Sequence, residues 1–91
     1  MAAENLSVAV TTPERTIFEG GAEMVVAPAW DGEVGILRNH APMMALLGEG
    51  TLRIRQGREE RRLYVSGGFL QVADNVVSVL SEHARPLADE G

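Results

Sequence analysis

At 91 residues the chain has room for one domain, with a thin core, because a protein of this size buries only about 60–65% of its unfolded surface. Thirteen acids against eight bases give a net charge of −5, and the one basic cluster, Arg58-Glu59-Glu60-Arg61-Arg62, is split by two acids, so the footprint that neutralises nucleic-acid phosphates is missing. No cysteine is present, which excludes disulfides and thiolate zinc sites. No apolar run nears the ~20 residues of a membrane helix, and 1–5 lacks the features of a secretory signal, so the expected compartment is cytosolic with any membrane link made through a partner.

Apolar residues recur with period two along most of the chain, which predicts strands. Leu6, Val8 and Val10 alternate with Ser7, Ala9 and Thr11, and Thr12-Pro13-Glu14 turns the chain because proline presets φ for such a corner. Thr16 to Glu19 and Glu23 to Pro28 follow, separated by Gly20-Gly21. Val34 to Leu37 and Met43 to Leu47 are two further short runs, and Gly48-Glu49-Gly50 is a turn. Thr51-Leu52-Arg53-Ile54-Arg55 has the clearest alternation, with Leu52 and Ile54 inward. It pairs as a hairpin with Arg62-Leu63-Tyr64-Val65-Ser66 across Gln56-Gly57-Arg58. Gly67-Gly68 marks a bulge or corner before Phe69 to Val72, and Asp74-Asn75 turns into Val76 to Leu80. The segment Glu82 to Leu87 can begin a helix, which Pro86 discourages.

This spacing predicts an all-β fold, a flattened β-sandwich or barrel of about ten short, mostly antiparallel strands. The domain is expected over 6–84, with tails at 1–5 and 85–91. Met24 to Ala27 and Met43 to Leu47 are apolar on both faces, and Val76 stands opposite the inward Val77 and Val79. Either closure of the sheet buries the second face or a partner covers it; the sequence leaves both open.

Catalytic chemistry needs a reactive group oriented by a second one, and the sequence supplies none. His40 and His83 lack metal-ligand spacing. His40 reads as a loop histidine bonding the backbone before Pro42, and His83 as a solvated residue. Ser66-Gly67-Gly68 is neither a nucleophile elbow nor a phosphate loop, since no helix follows. Asp31 and Glu33 sit one residue apart at a turn, where paired-acid catalysis would need them opposed across a cleft. They read as solvated charges for recognition or as ordinary turn polarity. Neither an enzyme nor a cofactor or metal is expected.

Asp31-Gly32-Glu33-Val34-Gly35-Ile36 through His40-Ala41-Pro42 resembles a loop of the epsilon subunit of rotary F-type ATP synthases, where the pattern is Glu/Asp-Gly-Glu-x-Gly-Ile-x-Pro-Gly-His-Ala-Pro. Val10 to Gly20, Val25-Val26-Ala27-Pro28, Gly50 to Ile54, Ser66-Gly67-Gly68-Phe69-Leu70-Gln71-Val72 and Asp74 to Leu80 match that family in order, from residue 6 to about 84. The resemblance implies a β-sandwich of ten strands on the rotor of the synthase, non-catalytic, on the cytoplasmic face of the bacterial inner membrane. It implies that the domain couples the gamma subunit to the membrane c-ring, so that ion flow drives rotary ATP synthesis. Carried over by position, Asp31, Gly32, Glu33 and Arg38 face the c-ring, while Thr12, His40 and Ala45, with Met43 and Met44 as apolar contacts, face gamma.

The sequence departs from the family pattern in two places. Arg38-Asn39 replaces Pro-Gly before the histidine, and asparagine tolerates the left-handed backbone there. Longer members continue into a C-terminal helical hairpin that inhibits hydrolysis and in some cases binds ATP. The chain stops at Gly91 without that segment's Ile/Leu-Asp-x-x-Arg-Ala motif, so neither property is carried over and no ATP binding is expected. The competing reading is a free-standing β-sandwich binding module for a sugar or peptide. Such modules display aromatic platforms, whereas here Trp30 stands alone in a loop beside one Tyr and two Phe elsewhere.

Overall fold

The computed structural model describes residues 5–87; the outer parts of the two expected tails, 1–4 and 88–91, lie outside the described residues. Eight strands are present among them: β1 (Leu6–Thr11), β2 (Thr16–Ala22), β3 (Met24–Ala29), β4 (Gly32–Leu37), β5 (Met43–Leu46), β6 (Gly50–Gln56), β7 (Glu59–Ala73) and β8 (Val76–Pro86). They bond in the order β2-β1-β8-β7-β6-β3-β4, with β5 attached to β7. Only β1 and β8 run parallel; the other pairings are antiparallel. The expected flattened, mostly antiparallel all-β domain is the one observed, with extents of 33 × 33 × 25 Å.

Eight strands stand where about ten were expected because β7 and β8 are long. The runs at 62–66 and 69–72 are one strand: Gly67 and Gly68 bend the backbone while the β7–β8 register continues unbroken from Ser66↔His83 to Gly68↔Ser81. Before the bend β7 pairs with β6, and after it with β5. One strand thus passes from one layer of the sandwich to the other. The first layer holds β2, β1, the first half of β8, the second half of β7, and β5. The second holds the other halves of β7 and β8 with β6, β3 and β4. Residues 82–86 are strand and not helix, with Pro86 opposite Leu63, so β8 runs two residues past the expected limit at 84.

The corner explains the two glycines. Gly67 and Gly68 have φ of +76° and +104°, and a β-carbon on Gly68 would overlap the Leu80 carbonyl oxygen. Opposite them Ser81 is the sole buried polar residue of the described chain. Its hydroxyl accepts from the Ser66 amide (3.1 Å) and donates to the His83 carbonyl (2.7 Å) or the Ser66 carbonyl (3.1 Å), so its burial leaves nothing unpaired.

Alternation fills the space between the layers with aliphatic side chains. Leu6, Val8, Val10, Val77, Val79, Leu70 and Val72 come from one layer; Val25, Ala27, Ile36, Leu52, Ile54, Leu63 and Val65 come from the other. Leu52 and Ile54 point inward and Arg53 and Arg55 outward, as the alternation predicts. The two-residue turn Asp74-Asn75, with φ of +53° and +64°, is of type I′, whose twist suits a hairpin.

Candidate functional site

Two surfaces stand out. The first is the outer side of the layer containing β5. Side chains opposite the core line up across its strands: Leu46 pairs with Phe69, and Phe69 with Leu80. One row further, Met44 lies beside Gln71, and Val76 lies beside Ala73 at the turn. Met44 (66% exposed), Leu46 (61%), Phe69, Leu80 and Val76 leave a large apolar area in solvent on one sheet face. At Met44, Leu46 and Val76 closure of the sheet leaves the second face in solvent, whereas the outer residues of β3, Met24 and Val26, are half-buried.

The second surface is the β3–β4 turn. Trp30 and Asp31 are its two central residues, between the paired Ala29 and Gly32, and Trp30 is 69% exposed. Glu33 is in β4, opposite Pro28, and Arg53 Nη2 approaches its Oε2 at 3.4 Å. The expectation that both acids stand alone in solvent therefore holds for Asp31 and is corrected for Glu33. Both partners of that pair are largely exposed, so its stabilising worth is at most a fraction of 1 kcal/mol.

The two surfaces adjoin. The Trp30 amide donates to the Leu46 carbonyl (3.0 Å), the Gly48 amide to the Pro28 carbonyl (2.8 Å), and Ala29 bridges to Leu47. The turn is thereby fixed to the end of β5, where the apolar row begins.

The residues singled out in the sequence distribute unevenly over this frame. Asp31, Gly32 and Glu33 lie together at one end of β4. Arg38 follows the other end, about 20 Å away at ~3.3 Å per strand residue. Of the three β5 residues singled out, Met44 points outward, whereas Met43 and Ala45 alternate to the inner side, opposite the buried Val72 and Leu70. Leu46, Phe69 and Leu80 share the outer face with Met44, and they escaped sequence reading because no local pattern tells which strands share a face.

His40 and Thr12 are at opposite ends of the first layer. Next to His40, the Asn39 amide donates to Asn75 Oδ1 (2.6 Å) and Asn75 Nδ2 to Asn39 Oδ1 (3.3 Å), tying this loop to the β7–β8 turn. Asn39 has φ +65°, the left-handed geometry expected where the family pattern has glycine. His40 Nδ1 lies 2.8 Å from the Ala41 carbonyl, the backbone role the sequence suggests. Thr12 follows β1, and its amide donates to the Arg15 carbonyl (2.8 Å), closing the turn into β2.

An open cleft near Thr12 is lined by Arg15, Tyr64, Glu82, His83 and Arg85. Tyr64 donates to Glu49 at 2.6 Å, which raises its pKa, and the Arg85 guanidinium sits 5.2 Å from its ring centre. The Tyr64 hydroxyl is thus held by Glu49 and its ring by Arg85. Among the described residues, no three His, Asp or Glu side chains converge as a metal site would require.

Against known proteins, residues 5–87 match the family described as ATP synthase, Delta/Epsilon chain, beta-sandwich domain. The chain is 45% identical over 83 residues to the ATP synthase epsilon chain of Leptospira borgpetersenii, covering 91% of this chain and 65% of that one. It is 44% identical over 82 residues to that of Symbiobacterium thermophilum, covering 89% and 59%. The chain thus spans just under two thirds of these relatives' length. In fold it resembles a chain of the Euglena gracilis mitochondrial ATP synthase in its OSCP/F1/c-ring assembly (TM-score 0.84, 24% identity, 91% of this chain and 54% of that one). It also resembles one of the Tetrahymena thermophila mitochondrial ATP synthase central stalk and c-ring (TM-score 0.72, 17% identity, 87% and 64%). The chain belongs to the ATP synthase delta/epsilon-chain β-sandwich family.

Proposed function

We propose that the domain is a non-catalytic part of the rotor stalk of an F-type ATP synthase, holding the gamma subunit to the c-ring so that rotation passes between them without slip. The observation that carries this reading is the junction of two unlike surfaces: an apolar row of Leu46, Phe69 and Leu80 that ends at the rigid, acidic β3–β4 turn. A domain wedged between two partners needs two such faces on a frame that does not yield. The long strands β7 and β8, each shared by both layers, supply that stiffness.

Gamma takes the apolar face, through Met44, Leu46, Phe69 and Leu80, flanked by His40 at one end and Thr12 at the other. Met43 and Ala45 support that face from beneath. The c-ring meets Asp31, Gly32 and Glu33, where acidic charge complements a basic loop and sets orientation and association rate more than affinity. Arg38, at the far end of β4, belongs with the His40 flank. The domain sits at the cytoplasmic face of the bacterial inner membrane, peripheral to it and joined to it through the ring. Family membership favours this reading over a free-standing sugar- or peptide-binding module.

A pull-down with purified gamma, repeated with the c-ring and with Asp31→Lys and Glu33→Lys, tests the assignment. Gamma capture that survives charge reversal, together with weakened ring capture, is the expected result. Failure to capture gamma overturns it.

A further inference from the structure

We propose that Trp30 is an aromatic seat for a guanidinium or ammonium group on the partner loop that meets the β3–β4 turn, with Asp31 as its counter-charge. This rests on the ring-facing reading of that turn. Two acids one residue apart suggest two equivalent contacts, but Glu33 is engaged by Arg53 Nη2 at 3.4 Å, whereas the Asp31 side chain has no partner among the described residues. Beside Asp31 stands the most exposed large apolar side chain of the described residues, Trp30, with 69% of its surface in solvent.

Leaving an indole exposed gains the fold nothing, yet the backbone beneath it is tightly fixed. The Trp30 amide bonds the Leu46 carbonyl. Gly48 packs so closely that a β-carbon on it would lie 2.9 Å from the Ala29 carbonyl oxygen and 3.3 Å from Trp30 Cα. A fixed backbone limits the entropy lost on binding, and an indole whose neighbour in sequence is a carboxylate suits a cation and not an anion. The chain's net charge of −5 draws the same class of partner.

Trp30 is the only tryptophan, so its emission reports on this site alone. Acrylamide quenching is measured for the chain, for its complex with gamma, and for the complex of chain and gamma with a detergent-solubilised c-ring. The same complexes carrying Trp30→Phe are subtracted to remove partner tryptophans. The expected result is an indole protected by the ring and not by gamma, with Trp30→Ala weakening ring binding roughly three- to tenfold and Trp30→Phe less. Gamma affinity and far-UV circular dichroism stay unchanged. Added salt erodes the loss caused by Asp31→Asn more than that caused by Trp30→Ala. An indole left open in a ring-bound complex overturns the proposal while the ring-facing reading stands; protection by gamma alone overturns both. No ring binding by the unaltered chain overturns both.

Discussion

Replacing Gly68 by alanine, with Gly57→Ala as its partner experiment, tests whether the bend in β7 holds the two layers together. Both glycines have positive φ, +104° and +64°, so alanine costs about 1–2 kcal/mol in backbone energy at each. It regains about 0.4–1 kcal/mol by restricting the unfolded chain. At Gly57, in the β6–β7 turn, a β-carbon meets nothing within 4 Å, and the net cost should stay near 1 kcal/mol. At Gly68 the added carbon would overlap the Leu80 carbonyl oxygen, which is backbone and cannot rotate away. β7 and β8 must separate there, disturbing the Gly68↔Ser81 pairing and the hydrogen bonds of the Ser81 hydroxyl, at about 1 kcal/mol each. The total, about 3–5 kcal/mol, is a large share of the roughly 5–14 kcal/mol available to a domain of this size. Urea unfolding should be followed by far-UV circular dichroism, because the exposed Trp30 changes environment little on unfolding. The midpoint should fall far more for Gly68→Ala, with Tm lower by about 15 °C or more against roughly 5 °C for Gly57→Ala. Equal losses at the two sites would refute the argument that close approach, and not glycine's conformational freedom, sets the cost at the corner.

Three further predictions use other parts of the molecule. Ser81→Ala should cost about 1–3 kcal/mol in urea unfolding, because it leaves the Ser66 amide without its acceptor in the interior. Tyr64, the only tyrosine, should titrate above the usual phenol value in absorbance at 295 nm, since its hydrogen bond to Glu49 favours the neutral form; Glu49→Gln should bring it back down. As the folded pKa is the higher one, this contribution to stability is complete below about pH 10 and is lost as pH rises through the folded value. Leu46→Ser combined with Phe69→Ser should weaken gamma binding at least tenfold in a surface-binding assay, yet change stability little, because both side chains stand on the solvent side of the sheet.

Much of this architecture is legible in the sequence because strand parity is local. Leu6, Val8 and Val10, or Leu52 and Ile54, declare their inward side by alternation alone, and each is buried. Turn chemistry is equally local. Asp74-Asn75 adopts the left-handed pair that a two-residue hairpin needs, and Asn39 takes the place of a glycine at φ +65°. Both apolar-on-two-faces segments were visible too, and in β5 the outer set, Met44 and Leu46, is left in solvent.

What the tertiary structure decided is pairing, which depends on residues far apart in the chain. Alternation cannot say that Gly67 and Gly68 bend one strand and do not separate two; that follows from the unbroken register of β8 alongside. Nor can it place Arg53, twenty residues on in the chain, beside Glu33, leaving Asp31 as the acid still open to a partner. The row Leu46–Phe69–Leu80 is assembled from three strands, and its junction with Trp30 exists only because the end of β5 docks on the β3–β4 turn. Side-chain direction is set by the backbone two residues at a time. Which directions converge on one surface is set by strand order, which depends on contacts between residues far apart in the chain.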